Sequence, residues 1–418
     1  MTDPVDHRRE VLFVTGTRAD FGKLRDIMIA VQDSETLAAR VVVTGMHLLR
    51  RYGYTVHEIE RAGLRRLHLI PNQIEGEPIA LVLANTTSAL ARLVHEERPD
   101  AIVVHGDRVE ALAAALVGSL NNIRVVHIEG GEVSGTIDDA IRHSVSKHAH
   151  IHLAANAEAR ARLLQLGEET ERVFVVGSPE VDMLTSGDVP GLDVVLDRYD
   201  IPFTDYGVLA LHPVTTEMDA NGPNAAAVVD GVLADGGNWV VIDPNNDEGC
   251  VDVRRQLDRL TGKRFVRLPS MRFEFFVTLM RHAELMLGNS SAGVREAPVL
   301  GTPSVDVGSR QRNRSTARSV QHVRPEAEAI RAAIASARSG GRFPRENGFG
   351  EPGACQRIVD LLAGEDLWRP PLYKRFIDRF GDVPVGGTGE PGADTPGPSG
   401  GGEPGGVGAG ASGGPTAG

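Results

Sequence analysis

Cysteine is scarce in this chain. Two, Cys250 and Cys355, stand far apart in 418 residues, which argues against a disulfide framework or a cysteine zinc site and fits a reducing compartment. Long apolar runs are missing too, since none approaches the ~20 residues that span a bilayer. The first ten residues, Met-Thr-Asp-Pro-Val-Asp-His-Arg-Arg-Glu, lack the apolar segment of a secretory signal. A cytoplasmic protein with no membrane partner is the expectation. Basic charge is in deficit, 44 Lys and Arg against 56 Asp and Glu for a net charge of −12. That speaks against a nucleic-acid partner, because phosphate-backbone binding relies on a basic surface. A small anionic ligand stays open if local arginines and helix N-termini converge on it. The G-x-G-x-x-G dinucleotide fingerprint is absent. No His or Cys pair has metal-ligand spacing, and Asp243-Pro-Asn-Asn-Asp-Glu lacks the pattern of a calcium loop. No metal and no cofactor are expected.

What is present is an alternation. Short β-branched runs recur, each followed by small or polar residues and a helical pattern. They are Val11-Leu-Phe-Val14, Arg40-Val-Val-Val43, Ala101-Ile-Val-Val104, Arg124-Val-Val126, Ile151-His-Leu-Ala154 and Val173-Phe-Val-Val176. Helical segments at 22–32, 80–97 and 109–121 lie between them. The pattern pauses near Gly177-Ser-Pro-Glu180. It resumes with Gly207-Val-Leu-Ala-Leu211, Trp239-Val-Val-Ile242, Phe265-Val-Arg-Leu268, Leu285-Met-Leu287 and Pro303-Ser-Val-Asp-Val307. This is the βαβ signature of α/β folds with doubly wound parallel sheets. It predicts two domains, residues 1–180 and 181–375, with a ligand cleft between them where strand carboxyl ends face each other. Residues 383–418 hold 15 glycines and 6 prolines in 36 positions. Such a tail cannot offset its ordering entropy by apolar burial, and is expected to be disordered and without chemistry.

Nearly every strand exit carries an acid, an arginine or an imidazole, which points to an enzyme. The densest is His127-Ile-Glu-Gly-Gly-Glu-Val-Ser-Gly-Thr-Ile-Asp-Asp-Ala-Ile-Arg-His143. It crowds Glu129, Glu132, Asp138 and Asp139 at a strand-to-helix turn, an arrangement that is costly unless the acids pair, cap or react. Thr136 with Asp139 resembles a capping box, and Asp138 suits a helix dipole; neither accounts for Glu129 or Glu132. Gly16-Thr-Arg-Ala-Asp-Phe-Gly22 reads as a phosphate or sugar cradle, with Arg18 placed to meet an anion. The plain alternative is an ordinary turn with Arg18 in solvent. Asn289-Ser-Ser-Ala-Gly-Val-Arg-Glu296 has the same shape in the second half. Its small residues leave backbone amides free for a diphosphate, and Glu296 suits a ribose diol. His47, His105, His127 and His143 read as structural. His212, held extended by Pro213, reads as functional because it would face the acids across the cleft.

Taken together, seven motifs in order resemble those of the hydrolysing UDP-N-acetylglucosamine 2-epimerases, over roughly residues 10–325. They are Gly16-Thr-Arg-Ala-Asp20, His47-Leu-Leu with Tyr52-Gly-Tyr-Thr55, His105-Gly-Asp-Arg108, residues 127–143, His212-Pro-Val-Thr-Thr216, residues 289–296 and Gly308-Ser-Arg-Gln-Arg-Asn-Arg314. Distant non-hydrolysing relatives read Gly-Thr-Arg-Pro-Glu at the first motif and His-Val-Glu-Ala-Gly at the fourth. The resemblance implies a glycosyltransferase-B-like fold of two Rossmann-like domains, with a helix near 354–362 crossing back to the first. It implies a UDP-sugar substrate, a homo-oligomer (dimer or tetramer) and no metal or redox cofactor. The implied reaction eliminates UDP to 2-acetamidoglucal and adds water to give N-acetylmannosamine. Carried over by position, Asp107, Glu129 and Asp138 resemble sugar-side acids, with the C2 base open among them. His212 resembles the histidine at the diphosphate, as a general acid. Arg18, Lys23, Ser290, Ser291, Glu296 and Arg314 resemble nucleotide contacts, and Asp20, His47 and Asn245 join the substrate-binding set. Glu132 and Arg142 would orient the acids. Rival readings are a glycosyltransferase needing an acceptor, a nucleotide-sugar sensor, and the same chemistry on UDP-2,4-diacetamido-2,4,6-trideoxyglucose.

Overall fold

The computed structural model describes residues 7–134, 137–187 and 189–378. The expected cap at Thr136 and the tail at 383–418 lie outside the described residues. Among the described residues, the first sheet has seven parallel strands: β1 (Arg9–Thr15), β2 (Leu37–Val43), β3 (Leu67–Leu69), β4 (Ala101–His105), β5 (Arg124–Ile128), β6 (Ile151–Ala154) and β7 (Val173–Val175). Their order is β3-β2-β1-β4-β5-β6-β7. The second has six parallel strands: β8 (Gly207–Ala210), β9 (Trp239–Ile242), β10 (Phe265–Leu268), β11 (Leu285–Gly288), β12 (Ser304–Val307) and β13 (Val320–Val323). Their order, β10-β9-β8-β11-β12-β13, repeats that of the first. Each sheet therefore reverses its winding once, between β1 and β4 and between β8 and β11. Those switch points are where open α/β sheets leave a crevice for ligand.

The strands are near-continuous apolar runs because both faces of each sheet are covered. Val11 and Phe13 of β1 pack with Leu24, Ile27 and Met28 of the helix Arg18–Gln32. Leu12 and Val14 face the other way, against Leu90 and Val94 and the alanines of the helix Val109–Leu120. The period-two alternation continues through β8 and the residue after it, where Val208 and Ala210 join one core and Leu209 and Leu211 another. The helix Ala354–Ala363 lays Ile358 and Leu362 into the core beneath β1. No helix among the described residues is long and apolar enough to cross a membrane.

Three elements depart from the sequence pattern. The edge strands β3 and β13 were not apparent in it; both are short and half-exposed, so neither shows a buried apolar run. The first helix starts at Arg18 rather than Gly22, because Thr17 and Asp20 form a capping box that nucleates it four residues earlier.

Candidate active site

The loop after β1 spends its polar groups on itself. Asp20 accepts from Thr15 Oγ1 at 2.7 Å, Gly16 N at 3.0 Å and Thr17 N at 2.9 Å. The amides expected to cradle a phosphate are thus already donated to a carboxylate. Arg18 is engaged as well, donating through Nε to Glu58 at 3.1 Å and through Nη1 to Ser270 at 2.6 Å. This joins the first loop to the loop after β10. His47 lies behind the loop and is fully buried. Its Nε2 sits 3.1 Å from Thr15 Oγ1 and its Nδ1 2.6 Å from Thr55 Oγ1. Burial, with Arg18 adding to it against Asp20, lowers its pKa to about 4. The structure thus makes His47 a neutral support for Asp20, away from the cleft wall.

The acids converge at the carboxyl ends of β4 and β5. Asp107 is paired with Arg142, which also reaches Asp139 at 3.4 Å and Ser134 Oγ at 3.3 Å. Burial would raise the Asp107 carboxyl, but Arg142 and then Arg314, His105 and Arg108 outweigh it and hold it at about 2. Glu129 stands on strained backbone at φ 61°, a region that non-glycine residues seldom adopt. It is 3% exposed. His105 Nε2 lies 3.0 Å from its Oε2, Arg295 Nη2 2.9 Å from the same oxygen, and Ser178 Oγ donates to its Oε1. Burial opposes ionisation, yet Arg295, then His105 and Lys23, keep Glu129 well below the usual carboxylate range. Asp138 faces Arg310 Nη2 at 3.5 Å.

Arg295 reaches in from the second half of the chain. Besides Glu129 it pairs with Glu132 and, at 2.7 Å, with Glu180. Glu180 in turn sits 3.1 Å from Lys23 and shares a hydrogen bond with Glu296. Burial and the Glu180 charge hold Glu296 well above the ordinary range, while Arg295 and Lys23 overcome burial to hold Glu180 at about 2. The pair therefore keeps one proton, on Glu296. Arg142 pairs with Asp107, whereas Glu132 pairs with two arginines, Arg295 and Arg314. Glu132 and Arg314 are 3.3 Å apart and line a separate cavity of about 160 Å³. Of the arginines in the 308–314 motif, Arg310 lines the cleft and Arg314 does not.

The opposite wall comes from the second sheet. His212 Nδ1 accepts from the Asn245 amide at 3.2 Å, leaving the proton of a neutral ring on Nε2. Asn289 clamps its backbone, accepting from His212 N at 2.7 Å and donating to its carbonyl at 2.9 Å. Burial, followed by Arg310, lowers the His212 pKa to about 3. The amides of Ser290 and Ser291 donate to no described residue, as expected for a loop awaiting an anion.

One cleft of about 330 Å³ brings most of these groups together. Arg18, Asp20, Lys23, Asp107 and Asp138 line it from one side, and His212, Asn245, Ser290, Ser291 and Glu296 from the other. His105, Arg108 and Arg310, which sequence reasoning did not select, line it too. His47, Glu129, Glu132, Arg142 and Arg314 stand behind its wall. Arg295, also missed, sat next to Glu296 in a motif already singled out. Only its reach across to Glu129 sets it apart, and that is a tertiary fact.

Comparison with known proteins agrees with this architecture. The family model described as UDP-N-acetylglucosamine 2-epimerase matches residues 29–363. The UDP-N-acetylglucosamine 2-epimerase of Neisseria meningitidis serogroup B is 43% identical over 373 residues, covering 88% of this chain and 99% of that protein. The UDP-N,N'-diacetylbacillosamine 2-epimerase (hydrolyzing) of Legionella pneumophila is 32% identical over 376 residues, covering 89% and 98%. The fold is similar to that of Methanocaldococcus jannaschii UDP-GlcNAc 2-epimerase, solved in complex with UDP-GlcNAc and UDP. There the TM-score is 0.72 at 21% identity, covering 84% of this chain and 99% of the other. The two-sheet architecture is glycosyltransferase-B-like, and the chain belongs to the UDP-N-acetylglucosamine 2-epimerase family.

Proposed function

We propose that this protein is a hydrolysing 2-epimerase that converts UDP-N-acetylglucosamine and water to N-acetylmannosamine and UDP. The observation that carries the reading is the polarity of the cleft. Asp107 and Asp138 face it from the first sheet, while His212, Arg310 and the unengaged amides of Ser290 and Ser291 face it from the second. The C2 proton of the sugar is not next to a carbonyl, so UDP departure must lead. Positive charge then builds at C1 and the ring oxygen. Fixed carboxylates on the sugar side stabilise that cation, and amides, imidazole and arginine on the other side stabilise the diphosphate. Elimination gives 2-acetamidoglucal, and water adds across C1–C2 to complete the reaction. His212 Nε2–H is a donor to the departing phosphate, and Glu296, whose proton goes to Glu180, has a free carboxyl oxygen to accept from a ribose hydroxyl. In this reading residues 1–180 form the sugar-side unit and 181–375 the nucleotide unit of a homo-oligomer. The two free cysteines favour a cytoplasmic setting.

The hydrolysing outcome is supported by the motif forms and by the Legionella relative, whose name carries that word. The same relative favours a second substrate, the 2,4-diacetamido-trideoxy sugar. Proton NMR of the protein with UDP-N-acetylglucosamine in D₂O, without acceptor and with EDTA, tests the reading. The expected products are UDP and N-acetylmannosamine deuterated at C2. UDP-N-acetylmannosamine instead would make the enzyme non-hydrolysing, and silence would transfer the proposal to the diacetamido sugar.

A further inference from the structure

We propose that His105, backed by the carboxylate of Glu129, is the base that removes the C2 proton. The inference rests on the epimerase reading and settles which group performs its first proton transfer. A general base must reach the proton it takes. Glu129 does not: it stands behind the cleft wall, and both of its oxygens are occupied by Ser178, His105 and Arg295. His105 stands between Glu129 and the cavity. It ends β4, lines the cleft, and has a side chain 9% exposed.

The hydrogen bonding fixes which ring nitrogen is basic. Nε2 faces a carboxylate at 3.0 Å and so carries the proton of the neutral ring. Nδ1 then holds the lone pair, and it has no hydrogen-bond partner among the described residues. The turn behind it is pinned from two sides. His127 Nε2 donates to Gly106 O at 2.8 Å and Gly106 N donates to Ile128 O at 3.0 Å. Asp107 and Asp138 are less suited to the step, because each faces an arginine, Arg142 and Arg310. Their fixed negative charge fits the developing cation.

In the proposed step the C1–O bond to UDP breaks and its electron pair leaves with the diphosphate oxygen. The C2–H bonding pair becomes the second bond of C1=C2, and the proton passes to His105 Nδ1. The imidazolium is stabilised by Glu129, as a carboxylate behind a histidine stabilises it in hydrolase triads. Hydration of the glucal consumes one water, and His105 returns its proton to solvent.

The test compares His105→Gln, which keeps an N–H toward Glu129, with His105→Ala. Calorimetry with UDP and turnover with and without imidazole are measured for each. The expected result is wild-type UDP affinity within about threefold. Turnover should fall by about 10²–10⁴-fold, the usual contribution of a general base, and recover in the alanine variant as imidazole is added. Turnover of His105→Gln within tenfold of wild type overturns the proposal. So does a loss that imidazole fails to restore in a variant that still binds UDP, which would make His105 a positioning residue. A wild-type protein that turns over neither UDP-sugar refutes the epimerase reading itself.

Discussion

Arg295 holds three carboxylates, Glu129, Glu132 and Glu180, from a position 4% exposed. Burying so many charges is tolerable only while each has its counter-charge. Replacing the guanidinium with an apolar chain of similar length leaves anions uncompensated. Arg295→Met is therefore expected to cost about 3–5 kcal/mol, read as a lower urea midpoint with an unchanged slope. A midpoint within error of wild type would mean that the acids re-pair or take up protons. Glu129→Gln addresses chemistry instead. It removes the negative charge behind His105 while keeping shape, so turnover should vanish with UDP affinity intact by calorimetry. Lost UDP affinity would move Glu129 to the nucleotide side. At this scale the sequence was informative about which loops matter and less so about which residue in each loop faces the ligand. Arg310 and Arg314 lie in one irregular segment, where no helical or strand period says which points inward. His105 reads as an ordinary strand-end histidine until Glu129 is seen behind it.

The close approach of β8 and β11 at the second switch point depends on one glycine. Gly288 ends β11 at φ 133°, and a Cβ there would lie 2.0 Å from the Ala210 carbonyl oxygen. The next residue, Asn289, is the one that clamps His212, so packing and site geometry meet in that residue pair. Gly308 also has positive φ, 87°, but open space around its Cβ position. Gly308→Ala should cost about 1 kcal/mol of backbone strain. Gly288→Ala should cost distinctly more, about 2 kcal/mol or above, because steric overlap adds to strain. Thermal melts of the two variants check the difference, and equal shifts would mean that the strands part without penalty. The central strands were legible because burial on both faces forces continuous apolar runs. The edge strands β3 and β13 were not, since Leu67-His-Leu69 and Val320-Gln-His-Val323 bury too little to show one. The turn after β1, expected as a phosphate or sugar cradle, hides from the sequence what its amides bind. The glycine and the small residues are there, but Asp20 fills the place of the anion.

Across the whole molecule the dominant pH-sensitive feature is a set of buried histidines. His47 and His150 are lowered to about 4, and His127 and His212 to about 3, each chiefly by burial. In the unfolded chain these rings protonate near their ordinary value of 6.5. Below pH 6.5 the unfolded state therefore binds more protons than the folded one, and stability falls with pH. Each ring contributes a slope of up to about 1.4 kcal/mol per pH unit until the pH reaches its folded value. Further down, Asp107 and Glu180, held at about 2 against burial by their cationic partners, and Glu168, held at about 2 against burial by the His152 hydrogen bond and Lys374, add their own loss below the ordinary carboxylate range. Both effects have the same sign, so acid unfolding should begin while the carboxylates are still ionised. Urea midpoints at pH 7.5, 6.0 and 5.0 should drop steeply at each step. A flat profile down to pH 5 would mean that the histidines accept protons in the folded state. UDP should modify the profile in one direction. Of the four rings, His212 lines the cleft beside Arg310, and a bound diphosphate offsets the arginine and raises the folded value of His212 toward 6.5. The difference in bound protons between unfolded and folded chains then shrinks by as much as one ring's share. Saturating UDP should accordingly both raise the midpoint and flatten its fall between pH 6.5 and 5. Stabilisation by UDP with an unchanged slope would place the diphosphate away from His212 and remove that residue from the leaving-group side of the cleft.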